Sequence, residues 1–241
     1  MNITGLYTKL YGLICGHHPK QNILHDEWLC LKDTHTNLKE VSPLIGGKTL
    51  DVGCGSKPYK DWFSNVTEYI GGDIGDNIFA DVAFEEDQAW QFQDREFDTI
   101  LSFQVFEHVK NLGLAQDEID RVLKPNGTVV LSIPFCAYEH GAPNDYRRFT
   151  REGVKQLFPE YEVVNVKTEG GVGSNVGTLI LRWVRISMTR TKALRIAFAI
   201  LMPFWILFTL VTNVLGFFLD KIDVTQSLYH NVMIILKKPE R

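Results

Sequence analysis

Strand-like runs that alternate with helical patterns organise most of this chain. The runs occupy residues 48–52, 67–72, 79–82, 97–103, 127–133, 161–168 and 230–237. Between the fourth and fifth runs, apolar residues recur at helical spacing over 112–123, and Pro125-Asn126-Gly127 is expected to end that helix and turn the chain into the next strand. The alternation predicts a parallel sheet with helices on both faces, whose ligands bind beyond the carboxyl ends of the strands.

Charge is divided unevenly along the 241 residues. The net charge is −4, yet the stretch from Gly170 to Leu219 holds five basic residues and no acidic one, so the remaining chain carries −9. The five are Arg182, Arg185, Arg190, Lys192 and Arg195. An acidic body predicts no nucleic-acid partner, because phosphate contacts need a basic face. A basic stretch beside an apolar run indicates a membrane surface.

The spacing of cysteine and histidine predicts neither a disulfide scaffold nor a metal site. The four cysteines are far apart and form no C-x-x-C pair, which favours a reducing compartment. The group formed by Cys15, His17, His18, His25 and Cys30 fits no standard zinc pattern. We therefore expect no bound metal.

A glycine turn follows the first predicted strand, in the run T-L-D-V-G-C-G-S-K-P-Y at 49–59. Gly53 and Gly55 lack a Cβ, so the backbone can turn sharply there and a ligand can come close. Asp51 stands at the end of the strand, where the polar groups of a ligand would arrive. Pro58 occupies the place of the third glycine of the dinucleotide fingerprint, which disfavours NAD and FAD.

Two further carboxylates follow the next two strands. Asp73 lies 22 residues after Asp51, at a position where a carboxylate can accept both hydroxyls of a ribose. Asp81 follows the third strand and can meet an adenine amino group. These positions predict a nucleoside-containing ligand at the sheet edge.

Four motifs, taken in order, resemble those of the class I S-adenosylmethionine-dependent methyltransferases, in particular the type-11 branch. They read D-V-G-C-G-S-K-P-Y, G-G-D-I, F-D-T-I-L-S-F-Q-V-F-E-H-V and R-V-L-K-P-N-G-T-V-V-L-S-I-P, within a match from about Lys48 to Phe158. The resemblance implies an α/β, Rossmann-like, seven-stranded and mostly parallel sheet with helices on both faces. Its last strand, at 230–237, would be antiparallel and preceded by an apolar helical insertion. S-adenosylmethionine is the implied cofactor.

The same resemblance implies a cofactor site at the ends of the first four strands. Its residues are Asp51, Gly53, Gly55, Asp73, Ile74, Asp81, Val82, Phe103 and Gln104. In that arrangement Asp51 and the two glycines hold the methionine end of the cofactor, and Asp73 takes the ribose hydroxyls. After the third strand, Asp81 and Val82 flank the adenine. After the fourth strand, Phe103 and Gln104 close over the ligand.

Candidate acid–base residues follow the fourth and fifth strands, on the ligand side of the sheet. The stretch after the fifth strand looks like the H-x-x-P-x-D-Y-x-R-F-T segment of a subset of these methyltransferases. His140 is the first candidate for a general base, with Asp145 as its orienting partner or as an alternative base, and His108 is the second candidate. A purely structural role stays open for each. Arg147 and Arg148 either bind an anionic acceptor or pair with the acidic body.

An uncharged run of 24 residues, 196–219, precedes the last strand. A straight helix of that length measures about 36 Å and could cross a ~30 Å hydrocarbon core, but Pro203 is expected to break it after seven residues. The preceding segment 176–188 resembles an interfacial amphipathic helix. Since both flanking strands belong to one sheet, the chain must return to the same side of a membrane. We expect a monotopic insertion, with two crossings, a buried lid or a dimer interface as alternatives.

These patterns divide the chain into three parts. We expect an N-terminal helical extension at 1–40, a methyltransferase domain at 41–169 and 226–241, and a membrane-associating insertion at 170–225 that contacts the membrane surface through 176–219. The expected function is methyl transfer to a hydroxyl or similar acceptor, on a lipid or a lipid-linked saccharide, at the cytoplasmic face of a membrane. The alternatives are a soluble small-molecule methyltransferase that forms a homodimer through the insertion, and a non-catalytic membrane-bound partner.

Overall fold

A computed structural model describes residues 3–85 and 87–240 of the chain. It contains two compact units. The helical unit comprises the chain up to His35 together with Glu169–His230, and the sheet unit comprises Thr36–Thr168 together with the chain from Asn231 onward. The three-part division from sequence stays a prediction, and residues 1, 2 and 241 of its outer parts lie outside the described residues.

The described residues of the sheet form seven strands. They are β1 (Gly46–Val52), β2 (Asn65–Ile74), β3 (Val82–Phe84), β4 (Phe97–Phe103), β5 (Leu123–Pro134), β6 (Glu162–Glu169) and β7 (Asn231–Lys237). Their spatial order is β3-β2-β1-β4-β5-β7-β6. Strands β1 to β5 pair in parallel, and β7 pairs with β5 in antiparallel orientation. The predicted Rossmann-like sheet with an antiparallel last strand is confirmed.

The predicted third strand, 79–82, is wrong in position, because β3 begins only at Val82. The Ala80 amide donates a hydrogen bond to the Asn77 carbonyl at 3.1 Å, which closes a turn before the strand. Residues of a closed turn cannot pair with a neighbouring strand, so the pairing of β3 with β2 starts at Val82 opposite Gly72.

The predicted turn at Pro125-Asn126-Gly127 is also corrected. The preceding helix ends at Val122 and β5 already begins at Leu123, so the three residues lie inside the strand. The pairing of β5 with β4 shifts in register across them, and Asn126 has a φ of +60°. An extra length of chain in one of two paired strands is accommodated as a bulge, so these residues bend β5 and do not start it.

The centre of the sheet carries the core of its unit. In β7 the five residues Val232–Leu236 are fully buried, and in β5 Val129, Val130 and Leu131 are too. Central strands covered on both faces read as continuous apolar runs, as these do. Strand β6 lies at the edge of the sheet and exposes Val163 and Val164.

The described residues also form seven α-helices. They are α1 (Ile3–Cys15), α2 (Trp28–Val41), α3 (Leu112–Val122), α4 (Arg151–Lys155), α5 (Val172–Met188), α6 (Lys192–Ile200) and α7 (Met202–Ile222). The predicted break of the uncharged run is confirmed, because α6 ends and α7 begins on either side of Leu201. Pro203 lies in the first turn of α7, where its missing N–H leaves no helical hydrogen bond unmade.

Within the helical unit, α5 and α7 pack closely through glycines. A Cβ added to Gly173 would lie 2.1 Å from the carbonyl oxygen of Gly216, so both positions require the smallest residue. The buried face of α7 consists of Trp205, Thr209, Asn213 and Gly216, at helical spacing. The Asn213 amide donates to the carbonyls of Ile23 at 2.7 Å and His25 at 3.0 Å. This one face therefore attaches α7 to the rest of its unit.

Candidate functional site

A cavity of about 410 Å³ lies beyond the carboxyl ends of β1, β2 and β4. The predicted site residues that line it are Gly53, Asp73, Ile74, Gln104 and His108. Its volume is in the range of pockets that hold a small molecule or a cofactor. The topology explains the position, because β1 and β4 are neighbours whose connections run to opposite sides of the sheet.

The glycine turn after β1 reaches the cavity through Val52 and Gly53, whereas Gly55 lies outside the cavity lining. Gly53 has a φ of +74°, and a Cβ there would lie 2.2 Å from Val105 Cγ2. Gly55 has a φ of +50°, and a Cβ there would meet no atom within 4 Å. Gly53 is thus required by close packing, whereas Gly55 presents bare backbone to open space. An open glycine backbone lets a ligand approach to contact distance.

Asp73 lies at the end of β2 and is fixed by three donors. Its Oδ2 accepts hydrogen bonds from the Gly55 amide at 3.0 Å and from Asn77 Nδ2 at 2.7 Å, and its Oδ1 accepts one from the Ile74 amide at 2.9 Å. Asn77 also donates to the Gly55 carbonyl at 2.8 Å, so it ties the glycine turn to the carboxylate. The sequence reasoning missed Asn77, whose signal was the turn-forming G-D-N at 75–77.

Asp51 is buried beneath the turn and does not line the cavity. Burial raises its pKa from 3.8 to about 7, although the hydrogen bond from the Tyr69 hydroxyl, at 2.5 Å, opposes that rise. The predicted contact of Asp51 with the methionine end of the cofactor stays a prediction.

Like Gly55, three other predicted cofactor residues lie outside the cavity lining. Asp81 accepts hydrogen bonds from Lys57 Nζ at 2.6 Å and from the Gly71 amide at 2.7 Å. Phe103 packs edge-on against Tyr59, with ring centroids 5.5 Å apart. Val82 begins β3 and also lies outside the lining. Their roles beside the cofactor stay predictions.

Aromatic side chains that the sequence reasoning missed supply the apolar wall. Phe84 and Trp90 both line the cavity and stack on each other, with centroids 4.8 Å apart and ring planes 16° from parallel. A stacked aromatic pair offers a flat apolar surface suited to a purine base. The signal was the aromatic spacing at residues 84, 90, 92 and 97, which also predicts an ordinary core.

Next to the cavity, Glu107, His108 and His140 form a compact group, the Glu–His–His cluster. The Nε2 atoms of His108 and His140 lie 3.7 Å and 3.9 Å from Glu107 Oε1. The Glu107 side chain is fully buried, and burial raises its pKa to about 7. The structure thus brings together the two candidate histidines, from different loops, beside the buried Glu107 carboxyl group.

The loop after β5 is held by an ion pair and by several side-chain hydrogen bonds. Asp145 accepts hydrogen bonds from both terminal nitrogens of Arg148, at 2.5 and 2.8 Å, and from the His140 amide at 2.7 Å. The Arg148 guanidinium keeps the pKa of Asp145 well below its ordinary range. Arg147 donates to the carbonyls of Val109 and Lys110. These contacts favour a positioning role for Asp145 and structural roles for both arginines.

Comparison with known proteins agrees with this geometry. A family model described as a methyltransferase domain matches residues 29–168, more than half of the chain. The chain belongs to the S-adenosylmethionine-dependent methyltransferases. The matching model is that of the type-23 domain, so the class predicted from sequence is confirmed, while the narrower type-11 branch is not the model that matched. No curated protein matches the chain.

Solved structures of similar fold include proteins of several activities. The [4+2]-cyclase SpnF is 19% identical, covers 88% of this methyltransferase and is itself covered to 82%, with a TM-score of 0.55. A SAM-dependent methyltransferase from Archaeoglobus fulgidus is 15% identical, with coverages of 88% and 97% and a TM-score of 0.53. Phosphoethanolamine N-methyltransferase 2 from Haemonchus contortus, bound to phosphomonomethylethanolamine and S-adenosylhomocysteine, is 15% identical, with coverages of 99% and 61% and a TM-score of 0.51. At these identities the likeness shows the fold alone.

The residues of this methyltransferase fit S-adenosylmethionine. The open backbone at Gly55 leaves room that a Cβ would fill, and Asp73 presents a fixed carboxylate beside it. Ribose hydroxyls are donors that such a carboxylate accepts. The cofactor supplies a methyl group on a positively charged sulfur, which a nucleophile can attack in line. The protein's contribution to this chemistry is mainly the positioning of the two reactants.

Proposed function

We propose that this methyltransferase transfers the methyl group to a hydroxyl of a lipid or a lipid-linked saccharide at the cytoplasmic face of a membrane. The observation that carries the proposal is the surface of the helical unit. Large apolar side chains are exposed along the outer side of α7, at helical spacing: Phe204, Leu207, Phe208, Val211, Leu215, Phe218, Leu219 and Ile222. We call this set the apolar face of α7.

Each of the eight side chains of the apolar face is between 42% and 72% exposed. Helix α7 has a mean hydropathy of 1.9 over its most apolar 18-residue window, only 22% of which is buried, and it is long enough to cross a membrane. A core helix of a soluble protein would be mostly covered. Exposed apolar patches of this extent mark an interface with a partner or with lipid. The same unit exposes Trp183 on α5 and Leu13 on α1, at 70% and 72%.

Positive charge beside the apolar face supports an anionic leaflet as its partner. Arg190, Lys192 and Arg195 are exposed at the junction of α5 and α6. Arg182 and Arg185 are instead paired with Glu27 at 3.2 Å and Asp26 at 2.7 Å. Three of the five basic residues thus remain for lipid headgroups, each worth about 1 kcal/mol near an anionic surface.

The connections of the insertion support a monotopic attachment. Two residues separate β6 from α5, and eight separate α7 from β7. Since β6 and β7 belong to one sheet, the chain enters and leaves the insertion on the same side of a membrane. Asn213 and Thr209 give α7 a buried polar side within its own unit, which a helix surrounded by lipid would not have. We infer that the apolar face lies in the interfacial region.

The Glu–His–His cluster supplies the group that removes the acceptor proton. His140 Nδ1 is hydrogen-bonded to the Tyr138 carbonyl at 3.1 Å, which makes Nδ1 the protonated nitrogen and leaves Nε2 free to accept a proton. The side chain is about one-third exposed, so an acceptor can reach it. We expect His140→Ala to lower turnover more than cofactor affinity, and the opposite pattern would make His140 a cofactor-binding residue.

Radiolabelled methyl transfer tests the function directly. Cells that express the full chain are supplied with labelled methyl donor, and the label is measured in lipid and aqueous extracts. We expect label in the lipid extract, dependent on Asp73. Label confined to a small water-soluble product, together with a detergent-free dimer that ignores vesicles, would support the soluble alternative. Absence of S-adenosylmethionine binding by calorimetry would support the non-catalytic one.

A further inference from the structure

We propose that Glu107, His108 and His140 form a binding site for one divalent transition-metal ion beside the cofactor cavity. These three residues form no zinc motif along the chain, because Glu107 and His140 come from two loops and lie 33 residues apart. The ligand atoms of the three side chains lie within 4.8 Å of one another. Only the fold brings them together, at the carboxyl ends of β4 and β5.

The buried carboxylate is the first support for this site. The Glu107 side chain is completely buried, and neither of its oxygens has a hydrogen-bond partner among the described residues. A buried carboxyl group without donors is destabilising by several kcal/mol unless a cation or a proton neutralises it. Oε1 faces the two imidazole rings at 3.7 and 3.9 Å, which is too far for hydrogen bonds. Two ligands on one tetrahedral ion are about 3.4 Å apart when their bonds are about 2.1 Å long, so the observed separations are close to those of a ligand set.

The orientation of the histidines is the second support. His108 Nδ1 is hydrogen-bonded to the Asn144 carbonyl at 2.5 Å, and His140 Nδ1 to the Tyr138 carbonyl at 3.1 Å. A carbonyl oxygen can only accept a hydrogen bond, so each Nδ1 must carry the proton and donate it. In that tautomer each Nε2 has a lone pair, and both Nε2 atoms lie near Glu107 Oε1. Metal-binding histidines are usually fixed in this way through their other nitrogen.

The backbone around the cluster is held in place. The Glu107 carbonyl accepts a hydrogen bond from the Tyr146 amide at 2.8 Å, which joins the two loops. The His140 amide bonds to Asp145, itself paired with Arg148. At Gly141 a Cβ would lie 3.1 Å from the His108 ring, so glycine permits the close approach. The ring centroids of the two histidines are 4.9 Å apart and the ring planes nearly perpendicular.

The donor set selects the kind of ion. Two imidazoles and one carboxylate are the ligands of many catalytic zinc sites and of 2-His-1-carboxylate iron sites, whereas Mg²⁺ and Ca²⁺ prefer oxygen ligands throughout. About 27% of the His108 side chain and 32% of the His140 side chain remain exposed, so a coordination position is open to the cavity side. An oxygen donor, either water or an acceptor hydroxyl, fits that position.

A role for this ion in methyl transfer rests on the proposed function, whereas binding of the ion to the cluster does not depend on that function. Coordination occupies the Nε2 atom that a general base needs, so a metal-loaded His140 would not take the acceptor proton. A hydroxyl bound to the ion loses its proton to solvent more readily, because coordination lowers its pKa. Metal binding and base catalysis by His140 are therefore competing accounts of one cluster.

Equilibrium binding of Zn²⁺ to the purified full chain tests the site. The protein is stripped with a chelator in mild detergent, titrated with Zn²⁺ by calorimetry, and assayed for metal by mass spectrometry after dialysis. We expect one equivalent in the wild type and a loss of affinity of roughly 100-fold or more in Glu107→Gln. Glu139→Gln makes the same chemical change at the exposed neighbour of His140 and should bind as the wild type does. Co²⁺ as a substitute should give visible absorption that Glu107→Gln loses.

A second variant is needed because Glu107 is buried and its replacement could misfold the protein. His140→Gln lies on a partly exposed loop and should also lose Zn²⁺ while it keeps the thermal unfolding temperature and the S-adenosylmethionine affinity of the wild type. No Zn²⁺ bound by the wild type, or wild-type affinity for Zn²⁺ in both Glu107→Gln and His140→Gln, would overturn the proposal and leave a shared proton as the neutralising charge. One bound Zn²⁺ without any label in lipid would overturn the proposed function and leave the site intact.

Discussion

The sheet unit and the helical unit place similar apolar residues in opposite environments. In β7 the run V-M-I-I-L is fully buried between neighbouring strands and helices, whereas in α7 half of the run F-W-I-L-F-T-L-V is exposed and only Trp205 and Thr209 are buried. The first arrangement stabilises folding by removing apolar surface from water. The exposed side chains of α7 contribute no such stabilisation until a lipid surface or a partner protein covers them. Apolar composition alone therefore does not distinguish a core strand from a surface built for lipid.

Buried carboxyl groups sharpen the comparison. In the helical unit Asp26 is paired with Arg185 at 2.7 Å, whereas Asp51 in the sheet unit is neutralised only by its raised pKa. A carboxyl whose folded pKa lies above its unfolded one adds stability below about pH 4, and that stability is gone above about pH 7. The free energy of unfolding should fall by up to about 4 kcal/mol across this window.

Asp51→Asn should remove the part of this pH dependence that Asp51 contributes in denaturant unfolding without ligand, because Asn can still accept the Tyr69 hydrogen bond. The part that comes from Glu107, whose pKa burial also raises to about 7, should remain. Asp61→Asn, at an exposed position in the same unit, serves as the control and should leave the pH dependence as in the wild type. An unchanged pH profile in Asp51→Asn would show that Asp51 is ionised in the folded protein.

A core truncation compares the two apolar runs directly. Ile234→Ala in β7 should lower the free energy of unfolding by about 3 kcal/mol, because it removes a fully buried side chain and leaves a cavity. Leu207→Ala on the apolar face of α7 should change it by less than about 0.5 kcal/mol, since this side chain is 58% exposed. Equal losses, measured by denaturant unfolding, would mean that the apolar face is covered within the protein in solution.

Vesicle binding should depend on the apolar face of α7 and not on the exposed side chains of the sheet unit. Replacing both Phe204 and Phe218 by Ser removes two rings that are 71% and 59% exposed. Affinity for anionic vesicles should fall by about 3 kcal/mol, or roughly 100-fold, in a sedimentation assay. Val163→Ser and Val164→Ser on the edge strand β6 also remove exposed apolar groups and should have no effect. Equal binding by the α7 variant would contradict membrane attachment through that face.

The smallest expected effect concerns the cofactor. Asp73→Ala should weaken S-adenosylmethionine binding by about 2 kcal/mol through the loss of charge-assisted hydrogen bonds. Asp76→Ala, at an exposed position in the loop just after β2, is the matched control for calorimetry. Unchanged affinity in Asp73→Ala would remove Asp73 from the site. Vesicle binding should be the same in both variants, because neither residue belongs to the helical unit.

The sequence by itself determined the parts of this protein that depend on local pattern. The strand periodicity, the glycine turn and the ordered motifs identified the sheet and the cofactor class, and Pro203 located the break between α6 and α7. Each of these follows from the geometry of a few consecutive residues. Such geometry is encoded locally, so no tertiary contact was needed to predict it.

Only the tertiary structure decided which distant residues meet. It joined Glu107 and His108 to His140, set Phe84 and Trp90 against the cavity, and paired Arg182 and Arg185 with acidic residues. It also showed that one side of α7 is buried and the other is exposed. Contacts between segments far apart in the chain depend on how elements pack, and a single sequence carries no local signal for them.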